Sequence, residues 1–230
     1  MESLYLIPSW FFGLGLILEL IFGAIVLAVA LYSFRVYSYS FQRNIKLFAW
    51  GFLALAISYF SWAFVSWYVS SKISIGEGIV SLGDFKGLVL FGLYGHIFFF
   101  LLGIATLTYV TLGIKSQRTY TLLISLLFIT IIFSTQKIIA FYFVASLLLF
   151  YIVIYYFLEY WYYGRRNQLA MLSFIFLFVG SVDFTFSAVH HIPYVLGHIL
   201  YLIGYLFILI NFIMMLRPLS RKEKNVKKKK

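Results

Sequence analysis

Seven long runs of apolar residues follow one another along the chain, separated by short polar connections. Most runs are close to the ~20 residues with which an α-helix crosses the hydrocarbon core of a bilayer. Their length and continuity predict membrane-spanning helices rather than the amphipathic helices of a soluble core. The runs are Trp10–Phe34, Phe48–Ser70, Gly87–Leu112, Tyr120–Phe133, Ile138–Tyr160, Ala170–Val189 and Tyr194–Leu216.

A polar break, Ser134–Lys137, separates the fourth run from the fifth. A single helix over 120–160 would be far longer than the ~20 residues that cross a bilayer, so we interpret the break as a connection between two helices. The predicted fold is therefore all-α, a bundle of seven transmembrane helices.

Lysine and arginine are distributed unequally between the two sides of this bundle. Fifteen of the 18 fall on the first, third and fifth connections and on the C-terminal tail. Positive charge is retained on the cytoplasmic side of membrane proteins. The pattern places the N-terminus outside and the C-terminus in the cytoplasm of a multi-pass cell-membrane protein. The opposite side carries Lys72, Lys86 and Lys137.

The composition agrees with a membrane protein and excludes a soluble domain. Hydrophobic residues make up 63% of the 230 residues and charged residues 11%, whereas soluble domains carry about 25% charged residues. One membrane domain, 1–216, accounts for the chain apart from its tail. The net charge of +11 lies mostly at helix ends and in the tail, so it does not indicate nucleic-acid binding. The absence of cysteine excludes disulfides and thiolate metal sites.

The C-terminal segment 217–230 is polar, rich in lysine and free of aromatic residues. Such a composition predicts a disordered tail, with Pro218 ending the seventh helix. Eight basic residues in it would be attracted to anionic lipid of the inner leaflet, since each contributes about 1 kcal/mol near the surface. The lipid bilayer itself is the main partner that the sequence predicts.

A few ionisable side chains lie well inside the predicted spans, and these are all in the half of the membrane that faces outside. Each costs about 2.5–3.5 kcal/mol on insertion scales, so each is a candidate functional residue. Two further histidines lie in the turn before the seventh helix, and two tyrosines share a helical face with the histidine of that helix. The candidate residues are Glu19, His96, Asp183, Tyr194, His198 and Tyr201, with His190 and His191 in the turn.

Helical spacing predicts that Glu19 and His96 point into the bundle, because each shares a stripe with glycines, which mark close helix crossings. Asp183 is expected to be neutral or paired with His190 or His198. The whole set is interpreted as an outer-half pocket for a small ligand, a lipid headgroup or an ion. No catalytic signature accompanies it, so the predicted role is that of a non-enzymatic sensor or receptor.

An alternative hypothesis from the same residues is a metal-dependent lipid hydrolase. Three histidines from His96, His190, His191 and His198, with Asp183, resemble the zinc sites of membrane hydrolases of the ceramidase and adiponectin-receptor type, and that resemblance implies zinc as cofactor. Those enzymes carry two histidines four residues apart in the last helix. This chain departs from that pattern, with Tyr194 and Leu202 at the corresponding positions.

Two cofactor hypotheses follow from the spans themselves. A retinal Schiff base requires a lysine within a helix; the predicted spans contain none, so a retinal pigment is excluded. A further alternative is a haem b protein, with the haem held by His96 and His198 on facing helices.

The segment 197–212, together with Ser58, Ser61 and Trp62 of the second helix, resembles small uncharacterised seven-helix proteins of archaeal type. The span layout is also similar in style to the seven-helix sensory input domains of prokaryotes. The resemblance implies a sensory role, with signalling through a separate partner protein, because no output domain follows Leu216.

Overall fold

The structure is a computed structural model that describes residues 11–74, 82–114, 116–163, 168–187 and 191–227. Within these ranges the chain forms seven α-helices and no β-strand. The helices are α1 Phe12–Ser40, α2 Arg43–Ser74, α3 Leu82–Leu112, α4 Gln117–Phe133, α5 Lys137–Tyr163, α6 Gln168–Phe186 and α7 His191–Lys227.

Six of these helices are long and apolar enough to cross a membrane, which makes the chain a multi-pass membrane protein. The exception is α4, which has 17 residues and is about 26 Å long at 1.5 Å per residue. The predicted break before the fifth helix is confirmed, because α4 ends at Phe133 and α5 begins at Lys137.

The helices that pack side by side form a closed ring in the order α1, α2, α3, α5, α6 and α7, with α7 against α1. The fourth helix lies outside this ring, where it contacts α3 and α5. It buries a narrow face, Leu127 and Ile131, and exposes the rest of its apolar surface. The large exposed side chains of α4 are Leu122, Leu126, Ile129, Ile132 and Phe133.

Glycines allow two pairs of helices to approach closely. A Cβ atom built on Gly103 of α3 would lie 2.8 Å from the carbonyl oxygen of Gly51 in α2, and one built on Gly197 of α7 would lie 3.1 Å from that of Gly180 in α6. Small residues at such crossings let backbones pack without intervening side chains. These contacts position the side chains that α2 and α7 send into the ring.

Aromatic side chains fill the centre of the ring. Phe22, Tyr59, Phe100, Tyr201 and Tyr205 are each at most 4% exposed. The space between the helices is therefore packed rather than open.

The C-terminal part of α7 differs from the sequence prediction. The helix does not end at Pro218 but continues to Lys227, where a disordered tail was expected. Arginine, lysine, glutamate and leucine favour helix, and a proline can kink a helix instead of ending it. The helix thus extends well beyond the apolar segment 192–214.

Candidate functional site

Glu19 of α1 is the most deeply buried carboxyl group among the described residues, with 6% of its surface exposed. Its Oε2 atom has no hydrogen-bond partner in the part of the chain that the structure describes. The carboxyl group faces the indole of Trp62 on α2, whose ring N–H is a donor. The prediction that Glu19 points into the bundle is confirmed.

Trp62 also contacts His96 of α3, with ring centroids 5.7 Å apart. The imidazole is held by Ser58 of α2: the Ser58 Oγ lies 2.8 Å from Nδ1 and donates to the His96 carbonyl oxygen at 2.9 Å. A hydroxyl that donates to the carbonyl is free to accept the Nδ1 proton. His96 is 7% exposed, which confirms its inward orientation, and it is fixed between two helices.

Three further candidate residues, Tyr194, His198 and Tyr201, lie on α7. The Nδ1 atom of His198 donates to the backbone oxygen of Tyr194, 2.9 Å away. The imidazole is enclosed by aromatic rings, including Phe184 at 4.9 Å and Phe22 at 6.2 Å between centroids. Tyr201 packs against the same Phe184 ring at 5.1 Å. All three α7 side chains are buried as the helical spacing predicted.

Four tyrosine hydroxyl groups converge toward the centre of the ring. The hydroxyls of Tyr59 and Tyr205 lie 2.7 Å apart, and Tyr59 is within electrostatic range of Tyr201 and Tyr142. The Tyr201 hydroxyl is buried without a hydrogen-bond partner in the described ranges. A buried polar group normally has a partner. The Ser181 side chain of α6 faces this hydroxyl, but the Ser181 hydroxyl accepts from Ser146 and donates to the Tyr142 backbone oxygen.

Phe22 of α1 lies between the residues of α2 and α3 and the candidate residues of α7. Its ring lies 5.5 Å from Tyr59, which in turn lies 6.0 Å from His96, and it also contacts His198 and Tyr201. The predicted set therefore surrounds one aromatic core, with the Glu19 carboxyl one helical turn from Phe22. The residues brought together in this way are Glu19, His96, Tyr194, His198 and Tyr201.

Asp183 does not join this group. Its side chain is half-buried, and it has no hydrogen bond or ion pair with any described residue. His198, one of its two predicted partners, forms a hydrogen bond from Nδ1 to the backbone oxygen of Tyr194 and packs among aromatic rings. His190, the other predicted partner, lies outside the described residues, as does the side chain of His191.

The described residues do not assemble the proposed metal site. No three histidine, aspartate or glutamate side chains among them lie close enough to share an ion. His96 and His198 are separated by the rings of Phe22 and Tyr59, which also fill the space that haem held between the two would need.

Sequence reasoning missed two groups of residues. Trp62 was not among the candidate residues, but it faces Glu19 and His96, whereas Trp67 of the same helix is 56% exposed. The four-residue spacing of Ser58 and Trp62 could have placed both on one helical face. Nothing in the sequence distinguishes Tyr59 and Tyr142 from the other tyrosines, because the chain contains 19 of them.

This arrangement offers one carboxyl group in an aromatic enclosure, two oriented imidazoles and a hydroxyl cluster. The Ser58 hydroxyl beside the His96 imidazole donates its proton to the His96 carbonyl oxygen, so this serine orients the ring. No protein-family model, curated protein or solved structure matches the chain. The resemblance to archaeal seven-helix proteins and sensory input domains stays a prediction.

Proposed function

We propose that this chain is a receptor-like protein of the cell membrane that binds a small organic cation at Glu19. In this proposal all seven helices span the bilayer, the N-terminus is outside, the C-terminus is cytoplasmic, and the site lies in the outer half. The observation that carries the proposal is the buried carboxyl group whose Oε2 atom has no hydrogen-bond partner among the described residues.

Charge and burial argue for a cation as the ligand. A carboxylate inside the bilayer costs about 2.5–3.5 kcal/mol unless its charge is compensated. The group that faces Glu19 is the neutral indole of Trp62, which donates a hydrogen bond but supplies no charge. Aromatic faces attract cations, with tryptophan the most effective. An alkylammonium ion between the carboxylate and the indole would satisfy both groups.

Occupancy at Glu19 would reach the opposite side of the membrane through the ring contacts. Trp62 packs on His96, whose imidazole is bonded to Ser58. Phe22 packs on Tyr59, whose hydroxyl is bonded to Tyr205 of α7. Moving α1 away from α2 to admit a ligand would disturb both contacts, and a partner protein in the cytoplasm would detect the change.

The test is thermal unfolding of the detergent-purified protein in tetramethylammonium chloride or sodium chloride at equal ionic strength. A ligand that binds the folded state stabilises it by about 2.7 kcal/mol at one hundred times its Kd. We expect tetramethylammonium to raise the unfolding temperature of the parent protein and to lose that effect in Glu19→Gln. Glu159→Gln, the same change in a half-buried glutamate of α5, should respond like the parent.

The proposal would be overturned if tetramethylammonium and sodium had equal effects on the parent protein. An equal tetramethylammonium effect in Glu19→Gln would also overturn it, since the carboxylate would then have no part in binding.

A further inference from the structure

Three tyrosine hydroxyl groups of α2 and α7 lie near one another at the centre of the ring. The Tyr59 hydroxyl contacts that of Tyr205 at 2.7 Å, and Tyr201 is within electrostatic range of both. Each of the three side chains is at most 4% exposed. These hydroxyl groups are therefore closed off from bulk solvent, and their hydrogen-bond partners have to lie inside the bundle.

The protons of these hydroxyl groups outnumber the acceptors that the described residues offer them. Each hydroxyl supplies one proton. Either Tyr59 or Tyr205 donates to the other, and the proton of the accepting tyrosine has no acceptor in the described ranges. The Tyr201 hydroxyl forms no hydrogen bond with any described residue. Two buried O–H groups are thus left without an acceptor, which is costly inside a protein.

An acceptor with spare capacity lies on α6. Ser181 faces the Tyr201 hydroxyl without a hydrogen bond between the two groups. The Ser181 oxygen accepts from Ser146 at 3.0 Å and donates to the Tyr142 backbone oxygen at 3.2 Å. A hydroxyl oxygen has two lone pairs, so one lone pair of this fully buried serine remains free.

The two donors and the acceptor define the chemistry of the ligand that fits between them. A water molecule accepts two protons and donates its own, so it can satisfy both O–H groups and the Ser181 oxygen with three hydrogen bonds, the usual number for a buried water. A metal cation has no lone pair to offer the two protons. An anion has lone pairs, but the described lysines and arginines lie toward the helix ends and do not compensate its charge there.

We infer that the centre of the ring binds an internal water molecule, held by the Tyr201 hydroxyl, the Ser181 hydroxyl and the Tyr59–Tyr205 pair. The water joins α2 to α6, which have two helices between them on either side of the ring and do not pack against each other. This site is separate from Glu19 and does not depend on the function proposed for it.

The first experiment detects the water by X-ray radiolysis of the detergent-purified protein. Radiolysis converts water, bound water included, into hydroxyl radicals that modify adjoining side chains, and mass spectrometry locates the modified residues. We expect Tyr59 and Tyr205 to be modified several-fold more than Phe52, a ring of α2 that is 1% exposed and has no polar atom. Modification of both tyrosines no higher than that of Phe52 would overturn the inference.

Variants then test which groups hold the water. Tyr201→Phe and Ser181→Ala each remove one of its hydrogen bonds and should lower the modification of Tyr205 toward that of Phe52. The control is Ser173→Ala, which removes another fully buried hydroxyl of α6 that bonds within its own helix and should leave the modification of Tyr205 unchanged. Equal modification of Tyr205 in the parent, Tyr201→Phe and Ser181→Ala would overturn the assignment of the site.

The second experiment measures the unfolding equilibrium of Tyr201→Phe. A hydroxyl bound to water contributes one hydrogen bond, so its removal should lower the ratio of folded to unfolded protein about fivefold. A hydroxyl without any partner would have the opposite effect, because its removal relieves the cost of burying it. Tyr162→Phe, in a side chain that is 75% exposed, should be nearly silent.

Two results of the unfolding measurements would overturn the inference. One is a Tyr201→Phe protein more stable than the parent. The other is stabilisation of the parent by sodium chloride over sodium gluconate at equal ionic strength, lost in Tyr201→Phe, because the occupant would then be chloride.

Discussion

The hydroxyl oxygens of Tyr59 and Tyr205 lie 2.7 Å apart although 146 residues separate them in the chain. This contact joins α2 to α7, the two helices that flank α1 in the ring and whose backbones do not pack against each other. Both side chains are almost fully buried. The pair therefore links two non-adjacent helices of the bundle through side chains alone.

Removing either hydroxyl should destabilise the bundle. Tyr59→Phe or Tyr205→Phe leaves the other hydroxyl without this partner, and we expect each change to cost about 1–2 kcal/mol, within the range for interhelical polar pairs in membranes and for unpaired buried groups. The double variant should cost less than the sum. Unfolding titrations in mixed micelles measure the coupling.

The control for the tyrosine pair is Tyr39→Phe, which removes a hydroxyl from a side chain that is 68% exposed and should be nearly silent. Fully additive effects of Tyr59→Phe and Tyr205→Phe would show that the two hydroxyls do not stabilise each other.

Gly103→Ala should be destabilising, because the added methyl would lie 2.7 Å from the Leu55 Cγ and 2.8 Å from the Gly51 carbonyl oxygen. Overpacking of this kind costs about 1–3 kcal/mol. Gly95→Ala in the same helix places its methyl in open space, where alanine favours helix over glycine by about 1 kcal/mol. The unfolding temperature should thus fall in Gly103→Ala and rise in Gly95→Ala, relative to the parent protein. Changes of the same sign in both variants would contradict the close α2–α3 crossing.

Ser58→Ala should loosen His96, since it removes the hydroxyl that bonds both the imidazole and the His96 carbonyl oxygen. We expect a loss of about 1–2 kcal/mol in the free energy of unfolding. Ser61→Ala removes a hydroxyl that bonds within its own helix and should change stability little. Chemical-shift perturbation of the His96 ring in Ser58→Ala, with none in Ser61→Ala, would locate the effect.

The fourth helix should cross the membrane despite its length of 17 residues. The chain contains no cysteine, so single cysteines report topology without background. Gln117→Cys at the start of α4 and Gln136→Cys in the connection that follows α4 replace exposed residues, and a membrane-impermeant maleimide should label Gln136→Cys in intact cells and Gln117→Cys after lysis. Labelling of both from the same side would show that α4 does not span.

The sequence by itself determined the class of protein and the approximate bounds of its helices. A continuous apolar run has one stable state in a bilayer, because every backbone polar group must be bonded within the segment, and only a helix does this locally. The inward orientation of Glu19 and His96 followed from their spacing relative to glycine, since close crossings and buried polar groups occupy the same helical face.

Only the tertiary structure decided how the helices are arranged and which side chains meet. The fourth helix lies outside the ring because α3 packs directly against α5. The apolar pattern of each helix does not predict this packing, since lipid and protein interior are equally apolar. For the same reason the sequence did not predict that Trp62 points into the bundle or that the Tyr59 hydroxyl contacts the Tyr205 hydroxyl. For Asp183 the sequence prediction and the structure differ. Its distance from the end of the predicted span indicated a buried side chain with a partner, whereas the structure leaves it half-exposed. The rotation of α6 about its axis decides this exposure, and no local sequence feature predicts that rotation.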